Sequence, residues 1–573
     1  MRYKLKSPVE GDIIELVCRN RGVDFRSLDS FLLPTKDHVQ QPLVYTNLQL
    51  VCEAIIDAIA EGKKIGFVVD SDVDGFCSSA MLINYLHNEL KYTNIAWFIH
   101  SDKEHGLTRE MMGRIIEEDI EVVILPDSSS NEYKQHEELS AMSKQVIVID
   151  HHEAEKFSPS ALVINNQLDN FGNKTLCGGG MVMKVLEYID EMYGLDGAEK
   201  YMDLCATALV GDCMLMTHPE TRYYVQQGLK NINNPLLFEM YKANADKNFE
   251  MISFDIAPAI NAFIRVGTYD EKLDLFNALI GFDYLKGINI RGKGELTLEL
   301  PEYITALVSR IKSRQTSQIN KAIEEKSEII GLDLPFGVCI LDVDVNKSLT
   351  GLIASRLVEK YNKPMLVMKD YGGVYRGSAR TTDTFQEFKS YINGLGCFEY
   401  AEGHQQAFGV GITKESLNHL SQELKGKSIG EDSEVYLVDK AYVDMVSAYE
   451  IMAVDELKNH WCRGFEKPQF HITLNNITGA DIDIIGQKLN TIRIKHNHIT
   501  YVKFKCTEEE IEEVKNTIVN GVEIIGKFAI NEWNDRVYPQ VIIDKLELKG
   551  EEAPKDKVGG FGFNLNGFGG IKW

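Results

Sequence analysis

The feature that most constrains this chain is a set of short apolar runs that each end in aspartate. The runs IGFVVD, EVVILPD, QVIVID and ATALVGD end at Asp70, Asp127, Asp150 and Asp212. β-rich runs alternating with helical patterns predict a parallel sheet with crossover helices, although the fourth run fits a helix equally well. Ligands bind such sheets in a crevice at the carboxyl ends of the strands, so we predict that these acids converge there. The alternative is that each aspartate only caps the helix that follows it.

These acids are too crowded to pack together without a cation. Further titratable groups stand beside two of the runs, namely Asp72, Asp74, His151 and His152. Like charges repel and resist desolvation, so a bound cation is the physical solution. Carboxylate and imidazole ligands without thiolates suit Mn²⁺ or Mg²⁺ better than structural zinc. Several shared carboxylates favour two ions. At about 3.5 to 4 Å apart, two ions promote in-line displacement at phosphorus, so the sequence predicts phosphoester hydrolysis.

The overall charge narrows the choice of partners without deciding it. The 573 residues carry a formal net charge of −24, which lowers the expectation of a nucleic-acid partner because phosphate contacts use lysine and arginine. A local basic groove, or carboxylates that bind cations, would still be compatible with that sum. Ten cysteines without CxxC pairs predict reduced thiols, and no run reaches the roughly 18 apolar residues of a membrane span. We therefore expect a cytoplasmic protein with no membrane partner.

Changes in the residue pattern along the sequence divide the chain into five segments. Residues 1–235 carry the first α/β pattern, and residues 236–330 are helical. The second segment ends in ITALVSRIKSRQTSQINKAIEEKSEII, which predicts a long connecting helix. A second α/β pattern covers 331–435. Short β-branched runs over 436–550 predict a small antiparallel barrel, and the glycine-rich tail 551–573 is expected to be flexible.

Four motifs resemble those of the DHH phosphoesterase superfamily in order and spacing. They are DSDVDG, PDSS, IDHHE and LVGD, and the third contains the triplet that names the superfamily. Over residues 10–548, stretches such as GLIASRLVEKYNKP, GSAR, GHQQAFG and NEWNDRVYPQVIID resemble the RecJ-type family of single-strand-specific 5′→3′ exonucleases. The resemblance implies an α/β fold with two α/β units, a parallel-sheet DHH phosphoesterase core and a smaller DHHA1 domain. A long helix joins them, and an OB-like β-barrel follows at the C-terminus.

The resemblance also implies roles for the convergent residues. Asp127 bridges two ions, the acids of the first motif divide between them, and which two of those acids bind metal stays open. The implied metal ligands are Asp70, Asp72, Asp74, Asp127, His151 and Asp212. Adjacent side chains point to opposite sides of an extended backbone, so His152 is expected to face the scissile phosphate. Asp150 is expected to orient an imidazole through its other nitrogen.

The second α/β unit is implied to bind substrate phosphate. GSAR supplies Ser378 and Arg380, whose guanidinium suits bidentate phosphate contact, and GHQQAFG supplies His404. The alternative is that Arg380 is a surface charge and His404 a buried turn residue. The stretch APAINAFIRVG keeps Arg265 as a phosphate ligand but has Ala259 where the family normally carries arginine. Selection of a 5′ phosphate therefore stays open.

One stretch of the predicted barrel interleaves basic and aromatic residues. The sequence RIKHNHITYVKFK contains the candidate nucleic-acid contacts Arg493, Lys495, Tyr501, Lys503 and Lys505. Basic side chains can follow a single-strand backbone while aromatic rings stack on bases of any sequence. The alternative is a solvated strand face with no ligand.

The sequence therefore predicts a metal-dependent exonuclease of single-stranded DNA in DNA repair, recombination or replication. Two divalent cations, Mn²⁺ or Mg²⁺, are the expected cofactors, and a monomer is the expected state. The tail could dock on a single-strand-binding protein or a replisome component through Phe561, Phe563, Phe568 and Trp573. Two rival functions are a DHH phosphodiesterase of short oligonucleotides or cyclic dinucleotides, and a non-catalytic replisome scaffold.

Overall fold

Residues far apart in sequence form the smaller of the two units into which the chain divides. One unit contains residues 33–429, and the other contains residues 1–32 with the residues from 430 onward. The first predicted segment is therefore split, because residues 1–32 pack with the C-terminal part. The computed structural model describes residues 1–8, 11–242, 247–290, 292–325, 327–330, 335–341, 346–382, 385, 387–424, 435–534 and 536–552. The tail aromatics lie outside the described residues.

The N-terminal segment contributes one strand and two short helices. They are β1 Arg2–Leu5, α1 Ile13–Arg19 and α2 Leu28–Leu32. Asp12 caps α1, because its side chain accepts hydrogen bonds from the backbone N–H groups of Ile14 and Glu15. The buried face of α1 belongs to the hydrophobic core of the C-terminal sheet, where Val17 and Phe470 are both fully buried.

A five-stranded parallel sheet is the centre of the larger unit, as predicted. Its strands are β2 Ile65–Val69, β3 Ile95–Ile99, β4 Val122–Pro126, β5 Gln145–Asp150 and β6 Leu162–Asn165, in the order β3-β2-β4-β5-β6. Strands β2 and β4 are buried at every residue, which is typical of parallel strands with helices on both faces. The helices of this region are α3 Leu48–Ala60, α4 Val73–Asn88, α5 Arg109–Glu117, α6 Tyr133–Ala141, α7 Gly178–Tyr193, α8 Met202–Gly211 and α9 Pro219–Lys230.

The fourth acid-ended run is a helix and not a strand. It forms α8, and Asp212 is the residue that ends this helix. Alanine, leucine and methionine favour a helix, whereas strands favour β-branched and aromatic residues. All residues of 202–210 are buried, so the run lacks the periodicity that would separate a buried helix from a buried strand.

A helical region follows, and it ends in the long helix that the sequence predicts. Its elements are α10 Pro235–Tyr241, α11 Phe249–Met251, a π-helix Ile252–Ile256, α12 Ala257–Val266, α13 Tyr269–Leu279, the hairpin β7 Leu285–Ile290 with β8 Gly294–Glu299, and α14 Leu300–Glu325. The predicted helix extended to residue 330, whereas α14 ends at Glu325. The residues that follow form a strand instead, because they pair with a neighbouring strand of the second sheet.

The second α/β region is a six-stranded mixed sheet. Its elements are β9 Ser327–Ile330, β10 Gly337–Leu341, α15 Thr350–Tyr361, β11 Met365–Asp370, β12 Val374–Arg380, α16 Phe388–Gly394, β13 Tyr400–His404, β14 Ala407–Thr413 and α17 Lys414–Glu423. The strand order is β13-β14-β12-β11-β10-β9, and among the pairings of described residues only that of β10 with β11 is parallel. Strand β12 carries Ser378 and Arg380.

The C-terminal region is a seven-stranded sheet, and the predicted closed barrel is not confirmed. Its elements are β15 Val435–Val438, β16 Lys440–Val443, α18 Ala448–Asp455, β17 Phe470–Asn475, β18 Ile482–Ile485, β19 Thr491–His496, β20 Ile499–Lys503, α19 Glu508–Asn516, β21 Thr517–Trp533 and β22 Arg536–Glu552. The strand order is β16-β17-β21-β22-β20-β19-β18, and within the described residues no pairing joins the end strands β16 and β18. Strand β15 pairs with β1 instead.

A helix that spans a membrane must be both long and apolar. Within the described residues, no single helix meets both requirements. One bent pair, Lys36–Val44 with Leu48–Ala60, meets them by length and composition only.

Candidate metal centre

Three aspartates of the first motif are held in different ways at the end of β2. Asp70 lies directly after β2 and accepts hydrogen bonds from His105 Nδ1 at 2.6 Å and from the Gly106 N–H at 3.2 Å. Asp72 caps α4, where its Oδ1 accepts from the Gly75 N–H. The carboxylates of Asp70 and Asp72 are therefore each held by hydrogen bonds from the protein itself.

Asp74 is fixed from the other side, by the first turn of α7. Its two oxygens accept hydrogen bonds from the N–H groups of Gly178 and Gly179, both at 2.8 Å. The N-terminus of a helix carries partial positive charge, so it stabilises the Asp74 carboxylate. Gly178 also lies against the next acid, since a Cβ atom added to it would be 2.5 Å from the Cβ of Asp127.

Asp127 follows β4 in a left-handed backbone conformation, and no residue that the structure describes donates a hydrogen bond to its carboxylate. The φ angles of Asp127 and Ser129 are 65° and 80°, a region that favours glycine. Both oxygens of Asp127 are buried, and neither accepts a hydrogen bond within the described residues. Buried polar atoms are nearly always paired, so this pair of oxygens needs a ligand.

His151 faces the same point with an unpaired nitrogen. Its Nε2 lies 3.2 Å from Oδ1 of Asp127, 3.6 Å from Oδ2 of Asp212 and 3.8 Å from Oδ2 of Asp74. This Nε2 has no hydrogen bond within the described part of the chain. An imidazole nitrogen and several carboxylate oxygens around one point form a donor set that fits a divalent cation.

All six predicted metal ligands belong to this cluster. Three groups have ligand atoms within 4.8 Å of one another: Asp70, Asp72 and Asp127; Asp74, His151 and Asp212; and Asp127, His151 and His152. The first two groups share no residue, and Asp127 takes part in two of the three. Of the four acids that end the apolar runs, Asp70, Asp127 and Asp212 therefore meet among the described residues, whereas Asp150 lies beside them, and the fourth run is a helix.

The electrostatics of the cluster are those of a site that lacks positive charge. Burial raises the pKa of Asp127 well above its usual range, and the charges of Asp74 and Asp72 raise it further. Burial also lowers the pKa of His151, which keeps its ring neutral and able to donate an electron pair. The repulsion among the buried carboxylates would be relieved by a cation at this point, and the neutral imidazole of His151 can act as a ligand to it.

Asp150 lies beside the cluster and pairs with one of its members, His152. Asp150 accepts hydrogen bonds from the N–H groups of Ser130, His151 and His152, and its Oδ1 lies 2.8 Å from Nδ1 of His152. Burial lowers the pKa of His152, but the bond to Asp150 outweighs it and raises the pKa to about 10. The imidazole is therefore held as a cation, with its other nitrogen available to an anion.

The two histidine rings do not point in opposite directions as we expected. Their centroids are 4.4 Å apart. The expectation assumed an extended backbone, whereas strand β5 ends at Asp150, so residues 151 and 152 lie beyond it. His151 thus faces the carboxylates while His152 packs beside it.

Three basic side chains lie near the first-motif acids. Lys103 and Arg265 each interact electrostatically with Asp72, and Arg380 interacts with Arg265. Burial lowers the pKa of all three groups, and mutual repulsion lowers those of Lys103 and Arg380 further. A cluster of partly buried cations that repel one another is a site for an anion such as phosphate. Lys103 was missed by the sequence analysis, although its loop follows β3 at the same edge of the sheet.

The second sheet supplies Arg380 and Ser378 beside the first turn of α15. A Cβ atom on Gly351 would lie 2.7 Å from Nη2 of Arg380, and the hydroxyls of Ser378 and Thr350 are 2.8 Å apart. A helix N-terminus, a hydroxyl and a guanidinium together suit an anion. His404 ends β13, and its side chain lies outside the described residues.

The predicted nucleic-acid contacts of β19 and β20 are largely engaged within the fold. Arg493 and Lys495 pair with Asp483 at 2.7 Å and 3.6 Å, and Lys503 pairs with Glu510. Tyr501 is 1% exposed, so its ring cannot stack on a base. Lys505, by contrast, is exposed. The alternation of basic and aromatic residues did not reveal these acidic partners, because they lie elsewhere in the chain.

Comparison with known proteins agrees with this geometry. Residues 64–209 match the model of the DHH family, N-terminal domain. The chain is 32% identical, over 96% of its length and 98% of the relative's, to the SPbeta prophage-derived protein YorK of Bacillus subtilis strain 168, provisionally named a single-strand DNA-specific exonuclease.

More distant relatives extend over nearly the whole chain. The single-stranded-DNA-specific exonuclease RecJ of Bacillus subtilis strain 168 is 23% identical over 94% of this chain and 69% of its own length. The crystal structure of RecJ in complex with Mn²⁺ from Thermus thermophilus superposes with a TM-score of 0.72, at 19% identity, over 94% of this chain and 76% of that one. The chain belongs to the RecJ-type group of the DHH phosphoesterase superfamily.

Proposed function

We propose that this protein is a metal-dependent exonuclease that hydrolyses single-stranded DNA from the 5′ end with two divalent cations, Mn²⁺ or Mg²⁺. The observation that carries the proposal is the unpaired, buried Asp127 carboxylate facing Nε2 of His151. The names of the relatives support the substrate, and the Mn²⁺ complex of RecJ supports the cofactor. We further propose that the protein acts as a cytoplasmic monomer in DNA repair, recombination or replication.

The ligands divide between two positions in this proposal. Asp70, Asp72 and Asp127 would hold one ion, and Asp74, His151 and Asp212 the other, with Asp127 close enough to His151 to contact both. When bound, such ions activate a water molecule and offset the charge that develops at phosphorus. Asp150 would keep the His151 and His152 segment in place through its backbone hydrogen bonds.

The cationic side chains would orient the substrate. The His152 imidazolium, held by Asp150, can donate a hydrogen bond to an oxygen of the scissile phosphate. Lys103, Arg265 and Arg380 would bind the terminal phosphate and so place the 5′ end of the strand beside the carboxylates. Binding of an anion relieves the repulsion among these cations, which favours a phosphorylated end.

The test uses strands blocked at one end. With Mn²⁺, a 3′-blocked single strand should release mononucleotides, whereas a 5′-blocked strand and a blunt duplex should not. Asp127→Ala should abolish release, and Asp57→Ala, which changes an exposed acid on α3, should leave it unchanged. Release only from the 5′-blocked strand would refute the polarity. No release from either strand would refute the enzyme and favour a scaffold.

Substrate length separates the proposal from its nearest rival. A phosphodiesterase of short oligonucleotides or cyclic dinucleotides should turn over two- to five-residue oligomers faster than long strands. An exonuclease should degrade long strands at least as efficiently per enzyme, because the protein can also bind the part of the strand that lies away from the cleaved bond. A strong preference for dinucleotides would therefore contradict our assignment.

A further inference from the structure

The loop between β3 and α5 is held at both ends. We call residues 101–107 the β3–α5 loop. At its start, Nζ of Lys272 donates a hydrogen bond to the carbonyl oxygen of Ser101 at 2.6 Å. At its end, the Leu107 N–H donates to Oε2 of Glu132 at 2.8 Å. The residues between these two anchors form a short segment, so a shift of one residue displaces its neighbours.

Gly106 brings this loop against the turn that follows Asp127. Its φ angle is 61°, a region that favours glycine. A Cβ atom on Gly106 would clash with Oε1 of Glu132 and would lie 2.7 Å from Oγ of Ser129. The absence of a side chain therefore lets the loop approach the acids closely enough for His105 to reach them.

His105 and Gly106 together hold both oxygens of Asp70. Nδ1 of His105 lies 2.6 Å from Oδ2, and the Gly106 N–H donates to Oδ1 at 3.2 Å. The His105 side chain is 55% exposed and that of Asp70 is 1% exposed, so the ring covers a buried carboxylate from the solvent side. Hydrogen bonds of this kind orient a ligating carboxylate and tune its affinity for metal. The direction of the Asp70 lone pairs therefore depends on the position of His105.

Lys103 lies two residues before His105 and belongs to the proposed phosphate site. It interacts electrostatically with Asp72 and Asp70, and also with Arg265. Lys103 thus interacts with the same acids that would hold a metal ion. A bound phosphate would attract Lys103 and so displace the segment that carries His105.

The middle of the loop also contacts the second sheet region. Glu104 pairs with Lys347 at 3.6 Å, and Lys347 begins the 3₁₀ turn that leads into α15. The side chain of Asn346 donates a hydrogen bond to the carbonyl oxygen of Arg265 at 3.1 Å. The elements that would bind phosphate and the loop that holds Asp70 are therefore in contact with one another.

We propose that His105 is a positioning residue for Asp70, through which binding of a 5′-phosphorylated nucleotide strengthens binding of a divalent cation. When phosphate draws Lys103 away from the acids, the β3–α5 loop closes on Asp70, and His105 fixes the carboxylate in the direction that the ion requires. Such coupling is reciprocal, because each ligand changes the affinity for the other by the same factor. The inference rests on the proposed function for both of its ligands.

The test measures metal affinity and needs no catalysis. Full-length protein is titrated with Mn²⁺ in the presence of dTMP or of thymidine, which lacks the phosphate, and free Mn²⁺ is followed by electron paramagnetic resonance. Neither compound has a phosphodiester bond to cleave, and a protein-free titration corrects for Mn²⁺ bound by dTMP itself. Because coupling between sites typically amounts to about 5- to 150-fold, dTMP should tighten Mn²⁺ binding by the wild type at least about fivefold relative to thymidine.

Three variants isolate the role of His105. His105→Ala should weaken Mn²⁺ binding about tenfold, as loss of a partner of a metal ligand typically does, and should reduce the effect of dTMP to about twofold or less. His105→Asn keeps a side-chain N–H close to the position of Nδ1 and should restore most of both effects. Asp102→Asn changes an exposed acid of the same loop, and this matched control should behave as the wild type does.

The outcomes distinguish failure of this inference from failure of the proposed function. An unchanged effect of dTMP in His105→Ala overturns the inference and leaves the nuclease assignment intact, as does wild-type Mn²⁺ binding that dTMP does not affect. An equal loss in Asp102→Asn also overturns it, because any change in the loop would then act alike. Absence of Mn²⁺ binding by the wild type contradicts the proposed function as well. A loss in His105→Ala that His105→Asn restores supports the inference.

Discussion

Replacing two buried aspartates by asparagine should have opposite effects on stability when no metal is present. Asp127 and Asp150 are each 1% exposed, but of the two only the Asp150 side chain has hydrogen bonds within the described parts of the chain. An asparagine at the first position would remove a charge that burial and the neighbouring acids Asp74 and Asp72 oppose. Because one unit of pKa shift corresponds to about 1.4 kcal/mol and asparagine cannot ionise, Asp127→Asn should raise the free energy of unfolding by about 1 to 3 kcal/mol in EDTA at neutral pH.

The same change at Asp150 should be unfavourable. It removes a negative charge that accepts three backbone N–H groups and pairs with the His152 imidazolium. Hydrogen bonds to charged groups contribute about 1.5 to 3 kcal/mol each, and one or two of these bonds would be lost or weakened. Asp150→Asn should therefore lower the free energy of unfolding by about 3 kcal/mol in EDTA.

Adding Mn²⁺ should reverse the order of the wild type and Asp127→Asn. A ligand at 100 times its dissociation constant stabilises the folded state by about 2.7 kcal/mol, and the variant should gain much less. Urea denaturation followed by far-UV circular dichroism, in EDTA and in Mn²⁺, measures all three proteins. The reasoning is refuted if Asp127→Asn destabilises the protein in EDTA as Asp150→Asn does.

Three further predictions concern packing, substrate selection and pH. Gly178→Ala should lower kcat about 100-fold by displacing Asp127, a misplacement of about 1 Å, whereas Gly113→Ala has open space and should leave kcat unchanged in the same assay. Lys103→Ala should reduce the preference for 5′-phosphorylated over 5′-hydroxyl strands about tenfold, measured as a ratio of kcat/KM, and an unchanged ratio would contradict the phosphate site. Burial lowers the pKa of His136 to about 4, so as the pH falls the unfolded chain takes up a proton before the folded protein does. The free energy of unfolding should therefore decrease by about 3 kcal/mol between pH 6.5 and 4. In urea titrations, His136→Gln should reduce this dependence of the free energy of unfolding on pH.

The sequence predicted the cluster of acids and histidine better than it predicted which basic and aromatic side chains of β19 and β20 are unpaired and exposed, for a physical reason. The ligands follow strand ends, and a parallel sheet places those ends together whatever the details of the helices. The cluster therefore forms even though Asp212 ends a helix and the fourth run was open to either interpretation. The charge repulsion among these acids, which a bound cation relieves, can be recognised from the sequence alone.

Pairings with residues outside the stretch that carries a pattern are not visible in this way. In the sequence, Arg493 and Lys503 look like unpaired cations. In the structure, Arg493 pairs with Asp483 and Lys503 pairs with Glu510. In the sequence, the Tyr501 ring looks available for stacking on a base, but in the structure the sheet buries it. Lys103 has no neighbouring motif in the sequence, and only the folded loop after β3 places it near Asp72.

The shared core of residues 1–32 and the C-terminal sheet has a consequence for how the chain is made. Arg21 binds Asp439 at 2.7 Å, across a separation of 418 residues. At about 5 to 20 residues per second, a ribosome needs roughly 20 to 80 s to supply that partner. Residues 33–429 can fold during this time, whereas the apolar side of α1 stays exposed to solvent. Residues 1–32 of the nascent chain therefore expose an apolar surface that a chaperone can bind until the C-terminal sheet is made.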